Sequence, residues 1–210
     1  MINTMVFTDD TSQSWLYRKY YFAGSNSRYW TFQMALNILY QKRENPLIIE
    51  TGCQRMADDL GAGMSTSIFG EYLKRYGGRL FTVDISQHNL DICKGCTIDF
   101  ADYIKYVCQD SISFLRHNEE KADLLYLDSL DYPIGDEAGD IQKQVAAQVH
   151  CLKEFKAAVK GGTVTNSTII LIDDNQLPGG GKPRLLKQHL QDEGYLCLLD
   201  LQQSLWVKGI

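Results

Sequence analysis

Apolar positions along the chain fall into two rhythms. Short continuous runs read as buried strands: about 46–50, 79–84, 104–108, 122–128 and 167–172, with two more near 195–200 and 204–208. Between them apolar residues recur at helical spacing. Segment 28–41 carries Trp30, Met34, Ile38 and Leu39, and segment 140–158 carries Val145, Val149, Leu152 and Phe155. Further helices are expected at 65–76, near 87–95, at 97–103 and 112–116, and at about 182–193. Punctuation agrees with this division. Gly77-Gly78 and Gly161-Gly162 stand where helices should end, Ser86 where one should be capped, and Pro46 where a strand should begin.

Strands alternating with helices predict an α/β fold, a doubly wound and mostly parallel seven-stranded sheet closed by a C-terminal antiparallel hairpin. Residues 46–210 read as one compact domain and residues 1–45 as an N-terminal helical lid segment. The aromatic cluster Trp15, Tyr17, Tyr20, Tyr21, Phe22, Tyr29 and Trp30 fits a lid or the outer layer of the core equally well.

Composition narrows the function classes. The chain has 210 residues, a net charge of −5 and 44% hydrophobic residues. An acidic balance argues against nucleic acid as a partner. No apolar run is long enough for a membrane span, and the first residues lack the pattern of a secretory leader. Six cysteines scattered over the elements suit reduced thiols, so a cytoplasmic setting is expected. Cys93-Lys-Gly-Cys96 is a lone C-x-x-C with no second ligand pair, and reads as two small residues in a loop.

Candidate chemistry lies at the strand ends. The first strand ends in Glu50-Thr51-Gly52 and runs into Gly61-Ala62-Gly63-Met64-Ser65, where a helix begins. Glycine admits a ligand against bare backbone, and a helix start offers free N–H groups. The second strand ends in Asp84, placed to take both hydroxyls of a ribose. A dinucleotide loop would need a third glycine where Thr66 stands. Glu-x-Gly, then Gly-x-Ser, then a strand ending in an acid resembles the first two motifs of class I S-adenosylmethionine (SAM)-dependent methyltransferases. The loop from Cys53 to Leu60 is longer than that pattern's tight turn. The resemblance implies SAM as cofactor, held by Glu50, Gly52, Gly63, Ser65 and Asp84. Gln109 and Asp110 would lie at the adenine, although Asp110 also reads as a helix cap.

Within that family the later motifs resemble the catechol O-methyltransferase-like, metal-dependent branch. These are Tyr126-Leu127-Asp128 and Asp173-Asp174-Asn175 followed by Pro178-Gly179. The resemblance implies Mg²⁺ held by Asp128, Asp174 and Asn175, with Asp128 also beside the cofactor. Hard oxygen ligands on one rim suit that ion, which lowers a hydroxyl's pKa. The branch's lysine, three residues past the first metal aspartate, is replaced by Asp131, which leaves Asp131 or His150 as catalytic base, while the metal aspartate Asp128 counts among the catalytic residues. Gly179-Gly180-Gly181-Lys182 lacks the remaining Walker residues and reads as a flap, with Lys182 and Arg184 near an anionic group.

The expected function is divalent-metal-assisted O-methylation of a small-molecule hydroxyl by a possible homodimer. A metal-independent N- or O-methyltransferase of a sugar, peptide or natural product is the alternative. From other classes, a nicotinamide-dependent oxidoreductase and a non-catalytic cofactor-binding module remain open.

Overall fold

The structure is a computed structural model that describes residues 14–17, 26–42, 44–57, 64–137 and 139–209. The glycine-rich loop with Gly61 and Gly63, and the aromatic residues Tyr20, Tyr21 and Phe22, lie outside the described residues. The strands are β1 (Leu47–Thr51), β2 (Arg79–Asp84), β3 (Ile104–Cys108), β4 (Leu124–Leu127), β5 (Ile169–Ile172), β6 (Leu196–Asp200) and β7 (Ser204–Val207). The helices are α1 (Ser14–Leu16), α2 (Asn26–Lys42), α3 (Ser65–Tyr76), α4 (Gln87–Cys96), α5 (Ser111–His117), α6 (Ile141–Gly161) and α7 (Arg184–Asp192). Segment Ile98–Tyr103, expected as a helix, is 3₁₀, and none of its residues is buried. Cys93 and Cys96 sit in the last turn of α4 rather than in a loop.

The strands form one sheet in the order β3-β2-β1-β4-β5-β7-β6. β1 to β5 are mutually parallel where they pair. The hairpin is antiparallel as expected, but its second strand, β7, is the one that pairs with β5, leaving β6 at the edge. Period-2 alternation divides the strand side chains between two cores. Ile48, Leu124, Tyr126, Leu171 and Leu205 pack with α2 and α3 on one face. Ile49, Leu125, Leu127, Ile170 and Trp206 pack with α6 and α7 on the other. Burial on both faces explains why these strands read as unbroken apolar runs.

Helix α2 is a core layer. Phe32, Ala35, Leu36 and Leu39 are fully buried or nearly so, and the Phe32 ring packs 5.6 Å from Phe69 and 5.8 Å from Tyr126. Its first turn carries Arg28 to the far end of β5, where the guanidinium reaches Asp173.

The chain reverses strand order between β1 and β4, and the crevice at such a switch is where open α/β sheets take ligands. Gly52 sits in that crevice at φ 83°, and a Cβ there would stand 2.5 Å from the Asp128 carbonyl oxygen. Only glycine lets these strand ends approach so closely.

Candidate active site

One continuous rim joins the strand ends. The Gly52 N–H donates to Val83, Asp128 to Thr51, Gln109 to Asp84 and Asp173 to Leu127, all through backbone. The rim thus carries Gln109, Asp84, Gly52, Asp128 and Asp173 in sheet order across the switch point.

On the β1–β2 side, Glu50 is fully buried. It accepts hydrogen bonds from Ser65 Oγ at 2.5 Å, Thr66 Oγ1 at 2.7 Å and Thr82 Oγ1 at 2.8 Å. Both carboxylate oxygens are therefore spent on protein, and Ser65 is spent with them. Their work is to fasten the start of α3 to β1 and β2. Gln54 adds a cap that the sequence reading missed: its Oε1 accepts from the Ser67 N–H at 3.2 Å. Asp84 is half-buried. Its carboxylate accepts from the Ser86 N–H at 2.7 Å, from Asn89 Nδ2 and, at 3.4 Å, from Cys53 Sγ. Asp110 caps α5 through the Ser113 N–H at 2.8 Å, and Gln109 is exposed beside it.

Burial lifts the Glu50 carboxyl to about 7, although its three hydroxyl donors pull the other way. A buried acid with a raised pKa binds its proton more tightly folded than unfolded. Its contribution is therefore fully present below the unfolded value of 4.5 and is lost as pH rises towards 7. The loss amounts to about 3 kcal/mol at 1.36 kcal/mol per pKa unit. Chemical denaturation should show stability falling between pH 5 and 8, and falling by about 3 kcal/mol less in Glu50→Gln, the raised Asp128 carboxyl contributing to the fall in both proteins. An equal fall in both proteins would assign it to other groups.

On the β4–β5 side lies a cluster of three carboxylates and two cations. Asp173 is buried and accepts from Arg28 Nη2 at 3.0 Å, Arg28 Nε at 3.2 Å and Tyr126 Oη at 2.5 Å. Burial alone would lift its carboxyl, but Arg28, the tyrosine hydroxyl and Lys182 hold it below the usual range. Lys182 is 1% exposed, and its Nζ lies 2.7 Å from Asp128 Oδ1 and 3.1 Å from Asp174 Oδ2. Burial opposes that charge, yet the two carboxylates win and keep the ammonium protonated. With one more acid than base in the cluster, burial and the neighbouring Asp173 and Asp174 charges lift Asp128 to about 8 against the pull of Lys182.

A cavity of about 690 Å³ opens in front of this cluster, lined by Asp128, Asp174, Arg28, Tyr132 and Ala146 among others. Asp131 stands at its edge in a two-bond pair with Arg55, at 2.8 and 2.9 Å. Arg55 holds the Asp131 carboxyl below its ordinary value, which makes it a poor proton acceptor. His150 is not among the lining residues. Its Nε2 lies 3.4 Å from Ser111 Oγ on α5 and 3.6 Å from Glu154.

The three residues expected to hold Mg²⁺ do not converge. Asn175 turns towards the hairpin: its Nδ2 donates to Asp200 Oδ1 at 2.7 Å and to the Leu201 carbonyl, and its Oδ1 accepts from Lys187. The ammonium of Lys182 bridges the remaining two. Among the described residues no group of three or more His, Cys, Asp or Glu side chains is arranged to hold a metal ion. The donor set therefore does not fit a divalent cation. Lys182 itself, expected beside a ligand anion, is buried against protein carboxylates.

On the β1–β2 side Asp84 sets a half-buried carboxylate at the crevice, and the start of α3 is held in place beneath it.

No family model matches the chain, and no curated protein matches its sequence. Solved structures do match its fold. NSun6 from Pyrococcus horikoshii superposes with a TM-score of 0.61 at 16% identity, over 81% of this chain but only 42% of that one. SAH-bound methyltransferase PaMTH1 from Podospora anserina gives 0.58 at 14% identity, over 94% of this chain and 86% of that one. A putative rRNA-methylase from Clostridium thermocellum gives 0.57 at 10% identity, over 85% and 97%. At these identities the likeness is one of fold. Among the described residues no helix is long and apolar enough to cross a membrane.

Proposed function

We propose that the chain is a SAM-dependent methyltransferase acting on a hydroxyl of a small molecule. The observation that carries this reading is a juxtaposition. Gly52 at the strand switch separates Asp84, suited to a ribose, from a cavity edged by Asp128. The fold likeness to an SAH-bound methyltransferase supports it.

Asp84 would hold the ribose hydroxyls, with Gln109 and Asp110 at the adenine and Gly52 and Gly63 against the amino-acid end. Glu50 and Ser65 act from below, by fixing α3. When bound, SAM supplies an electrophilic methyl group on a sulfonium. Asp128 is the proton acceptor: it edges the cavity, and a pKa near neutral matches that task. Its Oδ1 is held by Lys182, while Oδ2 has a 3.4 Å contact from the Tyr126 hydroxyl. A proton leaving the acceptor hydroxyl goes to Oδ2. Positioning in a walled cavity supplies much of the remaining barrier reduction.

Radiolabelled methyl transfer from SAM, offered a panel of small hydroxyl compounds and total RNA side by side, tests the acceptor. A net charge of −5 favours a small acceptor over a polyanion. Label is expected in the small-molecule fraction; label in RNA would overturn the acceptor class while keeping the reaction.

A further inference from the structure

Behind the two carboxylates that line the cavity, Asp128 and Asp174, stands a cation that the chain itself provides. Lys182 Nζ bridges Asp128 Oδ1 and Asp174 Oδ2 at 2.7 and 3.1 Å. A divalent ion bridging the two carboxylates through these same oxygens would need the space the ammonium occupies. The backbone is built to deliver the ammonium there. The Lys182 N–H donates to the Asp174 carbonyl at 3.0 Å, closing the loop from Asp174 to Gly181 onto itself. Gly181 sits at φ 64°, and a Cβ on it would lie 2.1 Å from the Asp174 carbonyl oxygen. Asp174 itself adopts φ 54°, uncommon for a non-glycine residue. Asn175, the third expected ligand, is drawn off by Lys187 and Asp200 to the other side of the strand end.

We propose that Lys182 is the resident cation of the acceptor site, a positioning residue standing where a divalent metal would otherwise bridge Asp128 and Asp174. A lysine ammonium is a compact point charge with three donors, so it can hold two carboxylates at once. It carries one charge rather than two and has no open coordination position. It therefore orients the carboxylates and leaves the acceptor's proton to be taken by one of them, instead of binding the acceptor oxygen itself. The role in turnover rests on the methyltransferase reading; the occupancy of the place does not.

The test is Mn²⁺ uptake followed by electron paramagnetic resonance of the free ion, which needs no turnover. Wild-type protein should leave millimolar Mn²⁺ free, and its affinity for S-adenosylhomocysteine should be the same in excess chelator. Lys182→Ala removes the ammonium from between the carboxylates. It should take up one Mn²⁺ per chain, and adding Asp128→Asn should abolish that uptake. Stoichiometric uptake by the wild type, lost in Asp128→Asn, would overturn the proposal. So would a folded Lys182→Ala protein that takes up no ion. If Lys182→Ala does not fold, the wild-type arm decides alone. Absence of S-adenosylhomocysteine binding would count against the methyltransferase reading and leave the ion result standing.

Discussion

Asp128→Asn is expected to lower turnover about 100-fold or more, the usual scale for losing a positioned proton acceptor. Affinity for S-adenosylhomocysteine should stay within about threefold of wild type, under 1 kcal/mol at 1.4 kcal/mol per decade. The reasoning is geometric. The side chain edges the acceptor cavity, whereas the strand end is tied to β1 through its backbone N–H, which the substitution leaves alone. Asparagine keeps the shape and the acceptor oxygen for Lys182 but cannot take a proton. The effect belongs in kcat rather than in cofactor affinity, and steady-state kinetics with calorimetry on the same preparations separates the two. Parallel loss of cofactor affinity would move Asp128 into the cofactor site.

Arg28→Ala should destabilise the protein by about 3–5 kcal/mol, the scale for removing one partner of a buried ion pair. Arg28 is 6% exposed and Asp173 1%. Without the guanidinium, the Asp173 carboxylate keeps Tyr126 Oη at 2.5 Å, the Asp174 N–H at 2.7 Å and a long contact from Gln203. Those three neutral donors cannot fully compensate a charge out of water. The pair also ties α2 to the end of β5 across 145 residues of sequence, so its loss should loosen the acceptor side of the rim. Arg28→Met combined with Asp173→Asn should cost clearly less than the two single changes summed, since the second change removes the charge that the first leaves stranded. Denaturant titration measures the wild type, the three single variants and the double variant. A single-variant loss below about 1 kcal/mol would mean that water solvates the pair as it does a surface bridge.

Most of the sheet was legible because its signals are local. Leu80–Phe81–Thr82–Val83 looks like a strand wherever it is placed, and Gly77 and Gly162 end helices by backbone conformation. Strand order in the hairpin was not legible in that way, because either strand could have met β5. The site divides along the same line. Asp84 and Asp128 stand at strand ends that periodicity locates. Arg28 has no local signature. It lies in a helix start 145 residues from its partner, and only the packing of α2 across the sheet brings the two together. Asn175 follows Asp174 in sequence and was grouped with it. Its direction is set by Asp200, 25 residues later, and by Lys187 on α7. Lys182 was visible as the residue after three glycines. That the loop would bury it between two carboxylates depends on positive φ at Asp174 and Gly181, which composition suggests only for the glycine.

The most direct measurement is calorimetric titration of the wild-type protein with S-adenosylhomocysteine in the presence of chelator. Micromolar binding at one site per chain is expected, undiminished when Mg²⁺ is withheld. A folded protein that binds none would contradict the methyltransferase reading at its centre, and the crevice at Gly52 and Asp84 would then belong to another ligand.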